Sequence, residues 1–191
     1  DCLVGSEMCI RDRYSTLKKE FSDDIEFITA RVYKNVTASF ANEKSNYTVR
    51  AVNPDHQFIE KSEIKEGRFI NSLDIKNKTK NIVIGNLVVE DLFPNTNPVG
   101  KYLDLDKIKF KIVGVFVERS EGSDSNEARI IYMPISTAQK IYGNNDYIDQ
   151  INLTYNPNLS EEEAIAFGNK IVDKIKDIFF VAENDQSAVR S

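Results

Sequence analysis

Stretches in which apolar and polar residues alternate predict a chain built largely from short β-strands. The alternation is clearest near the C-terminus, where Ile151, Leu153 and Tyr155 fall on one face of an extended segment. Together with runs of β-branched and aromatic residues, it predicts strands at residues 25–33, 36–40, 47–52, 81–84, 101–105, 109–117, 129–133, 148–155 and 179–182. Polar turns at residues 41–46 and 106–107 would join neighbouring strands into two hairpins.

A different spacing, with apolar residues three or four apart, predicts one clear helix at residues 161–178. Ser160 precedes this helix and Glu163 follows three residues later, which is the spacing of a capping box. Ala164, Gly168 and Ile171 share one face, and a glycine inside a helix suggests close packing against a sheet. Shorter helices are predicted at residues 16–21, 87–93 and 136–142, and residues 54–77 are predicted to be rich in loops. The predicted fold class is therefore α+β.

Composition narrows the class of protein. The chain has 191 residues, of which 41% are hydrophobic and 29% charged, and its formal net charge is −5. This apolar content supports a folded core and is too high for a disordered chain. No apolar run reaches the ~20 residues that cross a bilayer as a helix. Proteins that bind nucleic acid usually carry a basic stripe, so the mild acidity argues against that function.

The first thirteen residues are unlike the rest of the chain. Residues 3–13 resemble the translation of a transposase-type sequencing adapter, and we therefore exclude residues 1–13 from the predicted fold. Both cysteines, Cys2 and Cys9, lie in this segment, so we expect no thiol chemistry and no cysteine-ligated zinc in the natural protein. On this interpretation the natural N-terminus lies upstream of Tyr14, and the sequence is a fragment of a longer protein.

The residue patterns of common active sites are absent from the sequence. His56 is the single histidine, and in the polar sequence Asn53-Pro54-Asp55-His56-Gln57 we expect it to be a solvated side chain. A Ser-His-Asp triad would have to use this side chain as its base, and most zinc sites need more than one histidine. Gly100-Lys101 does not complete a phosphate-binding loop, because Asn95 and Tyr102 replace the required residues. We predict no catalytic, cofactor-binding or metal-binding residues.

Two further patterns carry little chemistry. Residues 118–127 form an acidic loop whose spacing does not fit a calcium-binding EF-hand, so we predict a solvated connector there. Its carboxylates are Glu118, Glu121, Asp124 and Glu127. Asn-x-Ser/Thr triplets begin at Asn35, Asn46, Asn77, Asn152 and Asn158, as expected by chance in an asparagine-rich chain. Scattered acidic residues leave a glycosidase-type carboxylate pair open but single out no pair.

Several short motifs follow one another in an order that is specific as a set. They are Val52-Asn53-Pro54, Glu66-Gly67-Arg68-Phe69 with Asp74, Ile82-Val83-Ile84-Gly85, Asp91-Leu92-Phe93, Asn97-Pro98-Val99-Gly100-Lys101, Phe110-Lys111-Ile112-Val113-Gly114-Val115 and Ile131-Tyr132-Met133-Pro134-Ile135-Ser136-Thr137-Ala138. Over roughly residues 14–190 this set resembles the MacB-like periplasmic core domain of ABC-transporter permease subunits. The glycines and prolines suit turns and close backbone approaches, so we interpret the motifs as fold determinants.

The resemblance implies a fold of two subdomains. Residues 14–52 and 147–191 would form a porter-like split β-α-β subdomain, and residues 53–146 an inserted, irregular, hairpin-rich α+β subdomain. It also implies membrane helices flanking the domain, outside this sequence. The domain would face the periplasm at the bacterial inner membrane. Implied partners are a second permease subunit, an ATP-binding subunit or domain in the cytoplasm, and a membrane-fusion adaptor protein.

The resemblance implies a non-catalytic domain that couples cytoplasmic ATP hydrolysis to efflux or substrate handling outside the membrane. An alternative within related permeases is a cell-division-type domain that recruits or regulates cell-wall hydrolases. A hydrolase with a carboxylate pair is a third hypothesis. Candidate contact surfaces are the loop around Asp124 and the tip at residues 56–61, because loops carry function more often than cores.

Overall fold

The computed structural model describes residues 10–117, 129–143 and 148–188, with the side chains of residues 14–174 within those ranges. Its helices are α1 (Ile10–Glu20), α2 (His56–Ile59), α3 (Ser72–Asn77), α4 (Asn86–Leu92), α5 (Ile135–Tyr142) and α6 (Glu161–Ala188). Its strands are β1 (Ile25–Phe40), β2 (Glu43–Val52), β3 (Glu63–Gly67), β4 (Asn81–Gly85), β5 (Tyr102–Leu105), β6 (Ile108–Val117), β7 (Ile130–Pro134) and β8 (Gln150–Tyr155). The predicted α+β class is confirmed.

Six of the strands pair in a closed ring. Antiparallel β1 and β2 are followed by β7, β4, β6 and β5, and β5 pairs with β1 again. The β2–β7 and β4–β6 pairs are parallel, which requires connections that cross over between strands. Outside the ring, β8 pairs with the beginning of β1 and β3 pairs with β6. We call these six strands the strand ring.

Strand β1 belongs to two parts of the molecule. Residues 25–31 pair with β8, and residues 31–40 pair with β2. The prediction of two separate strands at 25–33 and 36–40 was therefore wrong, because the polar residues Lys34 and Asn35 between them pair with Val49 and Thr48 of β2. The turn to β2 is also shorter than predicted. It consists of Ala41 and Asn42, and Ala41 adopts a left-handed backbone with φ of 51°.

Three apolar clusters hold the elements together. The largest lies on one face of the strand ring and includes Val49, Ile84 and Phe110. A second cluster covers the opposite face of β4 and β7, where Phe69, Val83 and Tyr132 meet. In a strand, successive side chains point to opposite faces, so both faces of the central strands are buried. The third cluster joins α1 and α6 to β1 and β8.

Local signals at turns and caps were predicted correctly. Asp106 and Lys107 form the β5–β6 turn with φ of 47° and 71°, a left-handed conformation that aspartate tolerates. The Ser160 hydroxyl accepts from the Glu163 amide at 3.3 Å, and Glu163 Oε2 accepts from the Ser160 amide at 2.8 Å. This reciprocal pair is the predicted capping box.

The prediction for the C-terminal helix needs two corrections. Residues 179–182 do not form a strand, because α6 continues without interruption to Ala188. Gly168 does not pack against a sheet, because a Cβ at this position would have open space around it. Among the α6 side chains that the structure describes, which end at Lys174, the buried ones are Phe167 and Ile171. Apolar periodicity located the helix, but it did not identify which of several apolar residues face the core.

The segment at residues 54–77 contains more structure than predicted. Besides α2 and α3 it includes β3, which pairs with β6. This pairing requires two glycines, because a Cβ on Gly67 would overlap the carbonyl oxygen of Val113. Likewise, a Cβ on Gly114 would overlap the carbonyl oxygen of Arg68. The close approach expected of these motif glycines is therefore present.

Candidate functional site

The two helices at the ends of the described chain pack against each other. Leu17 of α1 and Phe167 and Ile171 of α6 are buried in one apolar cluster. The rings of Phe21 and Phe167 meet edge to face, with centroids 5.8 Å apart. An ion pair adds to this contact on the surface, since Lys174 Nζ lies 2.9 Å from Glu20 Oε2. The α1–α6 pair therefore behaves as one packed unit.

A tight connection joins this helix pair to β1. The amide of Ile25, the first residue of β1, donates to the Phe21 carbonyl at 2.9 Å. Three residues later, Ile28 is buried against Leu17, and its carbonyl accepts from the Tyr14 hydroxyl at 3.3 Å. Burial, and next the charge of Asp55, raise the pKa of Tyr14. Hydrogen bonds and apolar packing therefore tie α1 directly to the start of β1.

A second connection reaches β1 from the end of β2. The Asn53 side chain accepts from the Ala30 amide at 2.9 Å. Asp55 Oδ2 accepts from the Ile28 amide at 3.5 Å and lies 3.8 Å from Lys18 Nζ. We call α1, α6, residues 25–31 and residues 53–55 the junction. A cleft of about 230 Å³ opens beside it, between Tyr14, Asn53, Ser72 and their neighbours.

The most highly coordinated carboxylate in the described residues is Asp74, at the start of α3. Its oxygens accept from both terminal nitrogens of Arg68 at 2.6 and 3.2 Å, from Thr79 Oγ1 and Asn81 Nδ2 at 2.7 Å, and from the Asn71 amide at 3.0 Å. Burial by itself would raise the pKa of Asp74, but these hydrogen bonds lower it to about 2. Asp74 thus holds α3, β4 and the Gly67-Arg68 turn together, and it has a structural role.

His56 does not lie where the sequence predicted. It is fully buried instead of solvated, at the start of α2, with its ring 4.9 Å from that of Tyr132. Neither ring nitrogen has a hydrogen-bond partner among the described residues. Burial, and then the nearby charges of Arg31 and Arg50, lower the pKa of His56 to about 3. The prediction failed because the flanking sequence is polar, whereas the aromatic residues around His56 are distant in sequence.

The remaining sequence candidates show no concentration of chemistry. The acidic loop at residues 118–127 lies outside the described residues. Gly100 adopts φ of 87° in a turn closed by a 3.0 Å bond from the Lys101 amide to the Pro98 carbonyl, as the turn interpretation predicted. At the 56–61 tip, Phe58 is exposed but stacks on Phe27 at 4.9 Å. Across the described ranges, no three His, Cys, Asp or Glu side chains lie close enough to hold a metal ion.

Sequence analysis did not identify the junction as a site. The motif Val52-Asn53-Pro54 overlaps the junction, but the sequence indicates only that the motifs are fold determinants. The hydrogen bonds that Asn53 and Asp55 accept come from residues more than twenty positions earlier.

In the part of the chain that the structure describes, no helix is both long and apolar enough to cross a membrane.

Comparison with known proteins agrees with the family resemblance of the motifs. The family model of the MacB-like periplasmic core domain matches residues 9–166. A macrolide export ATP-binding/permease protein MacB from Bdellovibrio bacteriovorus is 26% identical over 143 residues, which cover 74% of this chain and 22% of the relative. A protein of the same description from Campylobacter fetus is 30% identical over 125 residues, covering 65% and 19%. The chain therefore spans about a fifth of the length of the curated relatives it matches.

Two solved structures share the fold. The periplasmic region of MacB from Actinobacillus actinomycetemcomitans superposes with a TM-score of 0.78 at 16% identity, over 95% of this chain and 83% of that one. The extracellular domain of the noncanonic ABC-type transporter YknZ from Gram-positive bacteria gives 0.73 at 19% identity, over 87% and 81%. At these identities the likeness concerns the fold, and it agrees with the porter-like α+β architecture expected from the motifs.

Proposed function

Because the chain belongs to the MacB-like periplasmic core domain family, we propose that it is the extracytoplasmic part of an ABC transporter permease in the bacterial inner membrane. In this proposal the domain faces the periplasm and couples ATP hydrolysis in the cytoplasm to efflux. Macrolides are the first candidate substrates, since the matched relatives are described as macrolide exporters. The chain's share of those relatives leaves the membrane and ATP-binding parts to the rest of the permease.

The observation that carries the proposal is the path of β1. This strand begins at the packed pair α1–α6 and continues as one 16-residue strand into the strand ring. Its residues 25–31 pair with β8 and its residues 31–40 pair with β2, so a bend anywhere along the strand would break ladder hydrogen bonds. A movement of the terminal helices would therefore displace the ring as a body, which is what coupling to membrane helices requires.

We propose that the domain carries out no chemical step. Asp74 is the carboxylate with the strongest perturbation of its pKa, and five donors already occupy its oxygens. Strongly perturbed groups in an open cleft are candidates for catalysis, but a perturbed group within a saturated structural network is not. Hydrolysis of ATP would take place elsewhere in the transporter.

Partners and subdomains are part of the same proposal. The partners would be a second permease subunit, a cytoplasmic ATP-binding subunit or domain, and a membrane-fusion adaptor protein. Residues 14–52 and 147–191 would form the porter-like subdomain, and residues 53–146 the inserted one. The separate apolar cluster of α1, α6, β1 and β8 supports this division. Strands β1 and β2 would then connect the subdomains, because β2 also pairs with β7 of the inserted one.

The proposal is tested in the intact permease that contains this domain, expressed in a macrolide-sensitive bacterium. The double variant Asn53→Ala/Asp55→Ala removes the side chains that accept from the Ala30 and Ile28 amides. We expect ATP hydrolysis to continue while erythromycin efflux per ATP falls severalfold, because the junction no longer moves β1 with the helices. Efflux is measured with radiolabelled erythromycin, and hydrolysis is measured in membrane vesicles.

Asn97→Ala is the matched control. The Asn97 side chain also accepts from a backbone amide, that of Val99 at 2.8 Å, but in an exposed turn of the inserted segment. This variant should keep the wild-type ratio of efflux to hydrolysis. An unchanged ratio in the Asn53→Ala/Asp55→Ala variant, with both proteins folded and inserted, would show that the junction does not couple the two activities.

A further inference from the structure

A polar cleft in the strand ring is built from two of the Asn-x-Thr triplets found in the sequence. Asn35-Val36-Thr37 lies on β1, and Asn46-Tyr47-Thr48 lies on β2. The antiparallel register places Asn35 opposite Thr48 and Thr37 opposite Asn46. The four polar side chains therefore occupy the corners of a square on one face of the hairpin.

The hydrogen bonds within this square repeat by a local two-fold rotation. Thr37 Oγ1 donates to Asn46 Oδ1 at 2.9 Å, and Thr48 Oγ1 donates to Asn35 Oδ1 at 3.1 Å. Each threonine has thereby used its proton and retains lone pairs that can accept. Each asparagine retains its two amide protons, which are donors. The square thus presents two donor groups and two acceptor groups, alternating around its corners.

The surroundings favour a ligand that is polar and uncharged. The cleft has a volume of about 640 Å³, and Val36 and Tyr47 direct their side chains to the buried core and not into it. Asp106 and Arg129 flank the square with opposite charges. The Asp106 carboxylate accepts from the Thr37 amide at 2.9 Å, and Arg129 forms an ion pair with Asp91 at 2.7 Å.

We propose that this cleft binds a neutral saccharide. Each sugar hydroxyl both donates and accepts, so neighbouring hydroxyls match the alternating groups of the square. Diagonal corners on adjacent strands are about 7–8 Å apart, a distance that one pyranose ring with its hydroxyls can bridge. Bidentate recognition by amides and hydroxyls in a concave site gives orientation and specificity.

Other ligand classes fit less well. A phosphate or other anion would need an excess of positive charge, whereas Arg129 is already paired with Asp91 and the other charged group at the rim is the Asp106 carboxylate. An extended peptide is bound through a free strand edge together with pockets for alternate side chains. The cleft offers no apolar pocket of that kind, because its two apolar residues face the core. The inference concerns the strand ring and not the junction, so its test is independent of the test of the proposed role in transport.

The test uses the 191-residue chain and three neutral probes: the tetrasaccharides of N-acetylglucosamine, of β-1,4-linked glucose and of α-1,4-linked glucose. Binding is followed by NMR, through the side-chain amide signals of asparagines during titration. We expect at least one probe to shift the Asn35 and Asn46 signals saturably. The double variant Asn35→Ala/Asn46→Ala should weaken binding by about tenfold, because it removes the donors of two neutral hydrogen bonds.

Two further double variants distinguish a loss of binding groups from a loss of folding. Thr37→Val/Thr48→Val keeps the β-branched shape but removes both hydroxyls, and it should also weaken binding. Ser39→Ala/Lys44→Ala changes a cross-strand pair of the same hairpin that does not line the cleft, and it should bind like the wild type. The proposal is overturned if no probe gives a saturable shift, if binding survives both cleft variants, or if an uncharged Gly-Ser-Thr peptide binds in place of the sugars.

Discussion

Asp74 and His56 are two buried ionisable side chains, and they compensate for the loss of solvating water in opposite ways. Asp74 is 2% exposed and His56 is not exposed at all. Asp74 keeps its charge because five hydrogen bonds replace the water it lost. His56 has no hydrogen-bond partner among the described residues and remains neutral, since burial and two nearby arginines disfavour its protonated form.

The difference lies in what surrounds each side chain. Asp74 is encircled by local polar residues of one segment, all within seven positions along the chain. His56 is packed against Phe69 and Tyr132, which belong to the apolar cluster behind β4 and β7. An ionisable side chain is therefore stable in this core either when hydrogen bonds satisfy its charge, as for Asp74, or when it is uncharged, as for His56. The two should respond differently to mutation and to pH.

The largest expected effect is that of Asp74→Ala. Removing the carboxylate leaves Arg68, whose side chain is 43% exposed, and the half-buried Thr79 and Asn81 without their acceptor. Losing these hydrogen bonds to a charged group, with two half-buried donors left unsatisfied, should cost about 2–4 kcal/mol of unfolding free energy, measured by urea denaturation. Glu90→Ala, at an exposed position of α4, should change stability by less than about 0.5 kcal/mol. Similar losses in both variants would refute the special role of Asp74.

The next effect is a pH dependence due to His56. The unfolded chain binds a proton near pH 6.5, whereas the folded protein does so only near pH 3. Folding stability should therefore decrease as the pH falls through this window, by about 1.4 kcal/mol per pH unit. Arg31 and Arg50 oppose protonation, and Glu60, the ion-pair partner of Arg31, limits their effect.

His56→Leu removes this titration and tests its origin. Between pH 6 and pH 4, urea midpoints of the wild type should fall steeply, and those of the variant should fall less. The hydrogen bonds of Asp74 contribute stability that is lost only at lower pH, between about pH 4 and pH 2, because its folded pKa is lowered. Equal slopes for wild type and His56→Leu between pH 6 and pH 4 would exclude His56 as the source.

Gly114→Ala should disturb the Asp74 network while leaving His56 in place. The new methyl group would overlap the carbonyl oxygen of Arg68, the residue whose guanidinium binds Asp74. We expect a loss of about 1–3 kcal/mol of unfolding free energy, as for other overpacked positions. The pH slope assigned to His56 should persist in this variant, and its disappearance would mean that the two sites are not separate.

The smallest effect is expected of Gly168→Ala, which lies outside both environments. Space around this position in α6 is open, so the methyl group meets no neighbour. Alanine favours the helix over glycine by up to about 1 kcal/mol, so the melting temperature should rise slightly. A decrease would indicate that the face of α6 at Gly168 packs more closely than the structure shows.

Features that depend on neighbouring residues were predictable from the sequence. The Asp106-Lys107 hairpin and the capping box at Ser160 follow from local patterns. The order of the motifs indicated the fold family, and the structure agrees. The hairpin, the capping box and each single motif are complete within a few residues of the chain, and only the order of the motifs extends over a long range.

Features that depend on distant residues were not predictable. The burial of His56 is decided by Phe69 and Tyr132, and the junction is decided by contacts of residues 53–55 with β1. The ring closes only because β5 meets β1, a pairing that alternation does not specify. The continuation of α6 through residues 179–182 was missed because Phe179, Phe180 and Val181 favour strands in isolation.

The path of β1 also determines when this fold can be completed. Ala38 pairs with Leu105, and Arg31 pairs with Gln150. β1, the first strand of the chain, therefore cannot complete its pairing until these distant residues are present. Folding is slow when the entropy of closing such long loops is lost before the contacts between the distant strands are formed. During synthesis, β1 and β2 can form only their own hairpin until residues near 105 and then near 150 have emerged. A chain stopped between these points would leave one edge of β1 unpaired and open to association with other chains.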